Sequence, residues 1–305
     1  MPSRIDEMLP SISRLHEYMR TFGKKDILTY TKTPHSWADN KLGWTFWEVL
    51  NSHPKRVEAF ARGLSLFDAI HPNIGIYPFE EHHEAGNSPD RTLAVDIGGG
   101  RGLAMLDLRR GCPTLQGRLV LQDRREVLDA IASEDLPGVE KMQHNFFDPQ
   151  PVKGAQIYYI RRVFHDWLDD EARQILTSII PAMAPDSRIL ISDMALSEPV
   201  SAKDANAVWL DLMMLTIGGK ERTKRDWENL VQSAGLRLVK LWQRPEMEPL
   251  VVVECALPDA PARTMNGLGT ETKPVDGLVS GLTNGTAEVH LNGPEGASAN
   301  GVAEA

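Results

Sequence analysis

The sequence predicts an open, doubly wound α/β sheet, mostly parallel, preceded by a short helical region and followed by a disordered tail. Three observations carry this. Five strand-length apolar runs alternate with helix-spaced segments between residues 91 and 257, a glycine-rich turn joins the first run to the first helix, and composition changes on either side of that zone. With 305 residues, 42% of them hydrophobic and 25% charged, the chain has enough apolar side chains for a sizeable core. Its length suggests two domains, or one with appendages.

Residues 1–90 read as the helical region. Apolar residues recur with helical spacing from Asp6 to Phe22 and again from Lys55 to Ala69, where Val57, Phe60, Ala61 and Leu64 share a face. The run Glu80-Glu81-His82-His83-Glu84 has no second ligand cluster at regular spacing and reads as a solvated polar loop.

Residues 91–257 read as the sheet domain. The strands expected are Leu93–Ile97, Arg118–Leu121, Gln156–Ile160, Arg188–Ser192 and Leu250–Val253, each largely apolar, as parallel strands covered on both faces should be. Helices are expected over Leu103–Arg110, Arg125–Ala132, Asp170–Met183, Ala205–Leu215 and Lys224–Ala234, with Gly235 at the end of the last. In such a sheet the ligand lies at the carboxyl ends of the strands. Residues 258–305 contain no Phe, Trp or Tyr and are rich in Gly, Asn, Ala, Pro and Thr, so they read as a disordered tail. Asn284-Gly285-Thr286 there matches a glycosylation acceptor by chance, and three Asn-Gly triplets reflect low complexity.

Charge and cysteine content narrow the function. A formal net charge of −9 disfavours electrostatic binding to nucleic acid or an anionic membrane. The partner expected is a small molecule. Cys112 and Cys255 cannot build a disulfide scaffold, the first 20 residues hold no signal-type apolar block, and no apolar run reaches 18 residues, so a cytoplasmic location is expected.

The chemistry concentrates at strand ends. Val95-Asp96-Ile97-Gly98-Gly99-Gly100-Arg101-Gly102 lets backbone approach a ligand at a helix N-terminus. A dinucleotide fingerprint beginning at Gly98 would want glycine or alanine where Leu103 stands, and the Gly-x-Gly-x-Gly spacing favours S-adenosylmethionine over NAD. Asp123, 27 residues after Asp96 and at the end of the next strand, suits the two ribose hydroxyls.

Gly98 to Gly102, Asp123, His165-Asp166-Trp167 and Gly218-Gly219-Lys220-Glu221-Arg222-Thr223 occur in the order and at about the spacing of S-adenosylmethionine-dependent O-methyltransferases of the plant caffeate type, which the chain resembles over roughly residues 35–257. The run Asp148–Ala155 is similar to the fungal branch that modifies secondary metabolites. The resemblance implies a class I, Rossmann-like methyltransferase fold, S-adenosylmethionine as cofactor without a metal, and an aromatic or polyketide-type hydroxyl as acceptor. It implies His165 as general base, flanked by Asp193 and Glu221, with Asp193 replacing a glutamate common in plant members. By the same resemblance Asp96, Gly98, Gly100, Gly102, Asp123, Phe146 and Arg161 contact the cofactor and Trp167 stacks on adenine. Asn145 stands where relatives usually place an aspartate for the adenine amino group. Met214 and Trp209 are expected to line the substrate pocket, while Asp166 and Asp211 fall near the cavity without an assigned role.

Family members usually carry a winged-helix dimerisation region first. Thr31 to Phe67 resembles only its later part, so a homodimer is expected to be weakened. Two alternatives stay open: a cofactor-binding relative that catalyses a rearrangement or cyclisation instead of methylation, and a non-catalytic interaction protein. A nicotinamide-dependent reductase is disfavoured by Leu103.

Overall fold

Short caps, rather than long periodic stretches, set the helices that lead into the sheet. In the computed structural model, residues 4–26, 29–70, 74–83, 88–200 and 204–261 are described. Helices α1 (Arg4–Ser13) and α2 (Leu15–Asp26) are followed by α3 (Pro34–Ala38), α4 (Phe46–Asn51), α5 (Pro54–Ile70) and α6 (Phe79–His83). Thr33 caps α3 by accepting the Ser36 N–H at 3.1 Å, with Pro34 at the first helical position. Thr45 and Glu48 form a reciprocal capping box on α4. Both helices are too short for periodicity to reveal them.

The expected polar loop is instead helix α6. Its His83 is 1% exposed and sits 3.2 Å from the Tyr77 hydroxyl, because the turn at 79–83 folds against the sheet edge; Glu84 lies outside the described residues.

The sheet comprises β1 (Thr92–Ile97), β2 (Arg118–Asp123), β3 (Val139–Gln143), β4 (Ile157–Arg161), β5 (Arg188–Leu196), β6 (Arg222–Thr223), β7 (Arg237–Gln243) and β8 (Leu250–Ala256). Strand order is β3-β2-β1-β4-β5-β8-β7, with β6 paired to β5. The first five run parallel, whereas β8 pairs antiparallel with β5 and β7, which corrects the parallel reading of 250–253. A buried strand is apolar on both faces in either orientation, so its direction is not written in its composition. The intervening helices are α7 (Leu103–Gly111), α8 (Arg125–Asp129), α9 (Asp169–Ile179), α10 (Ala205–Ile217) and α11 (Lys224–Ser233), with α8 shorter than expected.

Alternation along each strand splits the core into two layers. Ile157, Tyr159, Leu190 and Val252 face α7, α10 and the N-terminal helices, while Tyr158, Ile160, Ile189, Ile191, Val251 and Val253 face α9 and α11. Helix α1 packs on α3, α5 and α10, tying the N-terminal region to the sheet domain.

Order continues past the expected start of the tail. The Ala260 and Pro261 carbonyls accept from Arg237 at 3.2 Å and Arg188 at 3.3 Å, which corrects the boundary at 257. The rest of the expected tail, with Asn284 and the triplets, lies outside the described residues. Among the described residues no helix is long and apolar enough to cross a membrane.

Candidate active site

The strand order reverses between β1 and β4, and the crevice opens at their carboxyl ends. Gly98, Gly100 and Gly102 carry left-handed φ of 68°, 58° and 73°, a conformation that a side chain resists. A Cβ at Gly99 would overlap the carboxylate of Asp96, which is fully buried beneath the loop. Gly99 is therefore required by space and was not singled out from the sequence. At the end of β2, Asp123 accepts N–H groups from Gly100 at 2.9 Å and Arg124 at 2.7 Å. Burial pushes its carboxyl up, and those two donors oppose the rise.

A cavity of about 540 Å³ fills this crevice. Asp96, Gly98, Gly100, Asp123, Asn145, Phe146, Arg161, His165 and Trp167 line it, as does Asp166. Gly102 does not; it caps the start of α7. The Asn145 side-chain oxygen accepts the Phe147 N–H at 3.2 Å. Trp167 sits in an aromatic cluster, with its ring 4.9 Å from Phe147, 5.2 Å from Tyr30 and 5.9 Å from Phe146. Arg162 also lines the cavity, and its φ of 53° puts a non-glycine residue in the left-handed region at the end of β4.

His165 sits on a single helical turn, Phe164–Asp166, directly after β4. Its Nδ1 lies 2.9 Å from Glu221 Oε1 and 3.4 Å from Asp193 Oδ1, and its Nε2 lies 3.6 Å from Asp166 Oδ1. His165, Glu221 and Asp193 are 3%, 4% and 1% exposed respectively. Carboxylates facing Nδ1 call for a proton there, which leaves Nε2 as the acceptor nitrogen of the neutral ring. Burial pushes the Asp193 carboxyl up to about 6; the nearby Glu221 adds to this and His165 opposes it. The Nδ1 and carboxylate oxygens of this trio lie within 4.8 Å of one another, but the 2.9 Å bond to Glu221 engages Nδ1, so the set reads as a hydrogen-bonded imidazole rather than a metal site.

Met214 and Trp209, expected at the substrate pocket, are not among the residues lining this cavity. Met214 is fully buried between α10 and the sheet, and Trp209 is 40% exposed on the other side of that helix. The apolar wall comes instead from the N-terminal helices, through Met8, Trp47, Leu50, Val57 and Phe60, with Ile217 from α10. The helical spacing of Val57 and Phe60 put them on one face, and nothing in it pointed to a cavity.

The chain is similar to known proteins in sequence and in fold. The O-methyltransferase kntB of Aspergillus niger is 34% identical over 244 residues, covering 79% of this chain and 58% of its own length. The demethylsterigmatocystin 6-O-methyltransferase stcP of Emericella nidulans is 39% identical over 204 residues, 66% of this chain and 97% of its own. OxaC, solved in complex with sinefungin and meleagrin, superposes with a TM-score of 0.74 at 33% identity, covering 82% of this chain and 64% of its own. A structure described as a pericyclic reaction enzyme gives a TM-score of 0.73 at 34% identity, with coverage of 82% and 64%. The chain thus spans about three-fifths of the length of relatives such as kntB. The family model of the O-methyltransferase domain matches residues 39–237, from α3 through the glycine loop, His165 and Glu221 to the start of β7, and the chain belongs to that family.

Proposed function

We propose that the chain is an S-adenosylmethionine-dependent O-methyltransferase of fungal secondary metabolism, acting on an aromatic or polyketide-type hydroxyl with His165 as general base. One observation carries the reading: an imidazole held by Glu221 at 2.9 Å stands in the wall of the cavity that the glycine loop enters.

The crevice fits the cofactor. Glycine shapes the loop: Gly98 and Gly100 take left-handed φ, a Cβ at Gly99 would collide with Asp96 and Leu121 beneath it, and the bare backbone of 98–100 lines the crevice. Asp123 would take the ribose hydroxyls, Asn145 and Phe146 the adenine edge, Trp167 its face, and Arg161 the amino-acid end. When bound, S-adenosylmethionine supplies an activated methyl group on a sulfonium.

The residues of the chain supply the rest. His165 Nε2 removes the acceptor hydroxyl proton as the oxygen takes the methyl group. Glu221 and Asp193 then stabilise the imidazolium. Met8, Trp47, Leu50 and Phe60 hold an apolar, ring-shaped acceptor and exclude water. Asp193 is the weaker partner, at 3.4 Å. A cytoplasmic workplace completes this reading.

Transfer of labelled methyl from S-adenosylmethionine into a fungal small-molecule extract tests it, with wild type beside His165→Ala. Label with wild type only, and similar cofactor affinity for both proteins by calorimetry, is expected. Equal turnover by the variant overturns the base assignment.

A second reading is a rearrangement or cyclisation with the cofactor retained. It is favoured by the likeness to the structure described as a pericyclic reaction enzyme. Cofactor binding together with substrate isomerisation and no label transfer would select it.

A further inference from the structure

The segment 218–222 does more than deliver Glu221. Helix α10 ends at Gly218, whose left-handed φ of 89° turns the chain onto the back of the His165 turn. A Cβ at Gly219 would overlap the His165 carbonyl oxygen, and that oxygen accepts the Lys220 N–H at 2.9 Å. Arg222 is 1% exposed. It donates to the Phe164 carbonyl at 2.7 Å and the Trp167 carbonyl at 2.8 Å, while Asp169 accepts from it at 3.0 and 2.8 Å. On the other flank, Asp211 of α10 accepts the Glu221 N–H at 2.8 Å. Residues 220 and 222 thus grip the backbone of the histidine turn, and residue 221 between them meets its side chain.

We infer that Gly219, Arg222 and Asp211 are positioning residues for proton removal by His165: together they set the backbone of the histidine turn against that of Glu221, and so fix the contact between imidazole and carboxylate. None of the three touches the reacting atoms; each acts through His165 or Glu221. The inference rests on His165 being the base. Arg222 suits the task because its rigid planar fork reaches two carbonyls and a carboxylate from three separate nitrogens, a spread that the single nitrogen of an ammonium does not match. Displacement of a base by about 1 Å costs on the order of a hundredfold in rate, so a backbone clamp is worth having.

The test uses the full chain carrying Asp211→Ala, Asp211→Asn, Gly219→Ala or Arg222→Lys. Asp211→Ala keeps a good helix former in α10 but removes the acceptor for the Glu221 N–H, whereas Asp211→Asn retains a carbonyl oxygen there. Asp211→Ala and Gly219→Ala should lower kcat by about 10- to 100-fold, with KM and cofactor Kd within about twofold. Asp211→Asn should recover most of the loss. Arg222→Lys should behave as Gly219→Ala does. The charged groups facing His165 are Asp166, Asp193 and Glu221, with Arg222 behind them. As Glu221 moves away, the protonated imidazole loses support and the acid limb of the pH–rate profile moves to lower pH. A merely structural role would lower melting temperature and leave that limb in place.

Imidazole 15N spectra read the same contact without turnover. The His165 Nδ1 signal should move in Asp211→Ala and Gly219→Ala and return in Asp211→Asn. Unchanged spectra and kcat in folded variants overturn the inference. Moved spectra in a chain that transfers no methyl would keep the clamp and remove the methyltransferase reading.

Discussion

Asn145 carries an amide where the family resemblance leads one to expect a carboxylate, and its oxygen already accepts the Phe147 N–H at 3.2 Å. An aspartate there keeps that bond and adds a charge facing the adenine amino group, worth about 1 kcal/mol. Asn145→Asp should tighten cofactor binding roughly fivefold, read by calorimetry; no gain would mean that this residue does not meet the adenine. Asp193 offers a pH test. Burial lifts its folded pKa to about 6, above the ordinary 3.8. A raised carboxyl holds its proton more tightly when folded, so its contribution to stability is complete below the unfolded value and is lost as pH rises through about 6. Asp193→Asn removes that loss: its melting temperature should exceed wild type at pH 8, with the gap closing between about pH 6 and pH 4. A gap that ignores pH would contradict the assigned cause. His165 and Glu221 stood out in the sequence through local motifs and Asp123 through its place at a strand end, and the structure brings Asp123 and His165 to one cavity. Gly99 and Arg222 did not stand out, since their importance is a matter of what lies against them.

Helices α1, α3 and α5 are joined by a buried ionic cluster that pattern reading does not reveal. Glu7 contacts His35 at 2.9 Å and Arg56 at 2.5 Å, and Arg56 reaches Asp39 at 2.6 Å. Burial alone raises the Glu7 carboxyl, but hydrogen bonds from His35 and Arg56 outweigh it and hold the pKa at about 2. Glu7→Gln leaves His35 without its charged partner and Arg56 with Asp39 alone, so it should cost about 2 kcal/mol in urea unfolding at pH 7. Because this pKa is depressed, the stabilisation is complete above about 4.5 and fades as pH falls towards 2, where wild type and variant should converge. The cluster bears on function, since Met8 and Phe60 of the same helices line the cavity. Elements were legible in proportion to burial and length. Strands β1, β4 and β8 declare themselves as apolar runs. The edge strands β3 and β7, half exposed and mixed in composition, do not.

For the molecule as a whole, the distribution of walls decides what can bind. A polar floor from the sheet domain and an apolar wall from the N-terminal helices enclose one cavity, so each ligand should stabilise the fold it bridges. S-adenosylmethionine at about 100 times its Kd should add roughly 2.7 kcal/mol, visible as a rise of several degrees in melting temperature, whereas NAD should give none. A rise with NAD alone would overturn the reading of the glycine loop. The sequence by itself determined the α/β class and the glycine turn, and it singled out His165, Asp193 and Glu221, because hydrophobic period, glycine sterics and motif order are local properties. Only the tertiary structure decided that β8 runs antiparallel, that the N-terminal helices rather than Met214 and Trp209 wall the cavity, and that Glu221 lies 2.9 Å from His165 while Asp193 lies 3.4 Å away. His165 and Glu221 are 56 residues apart in the chain. Their separation in space is set by the packing of α10 and the turn at Gly219 against the histidine backbone, a consequence of close contact that no local pattern encodes.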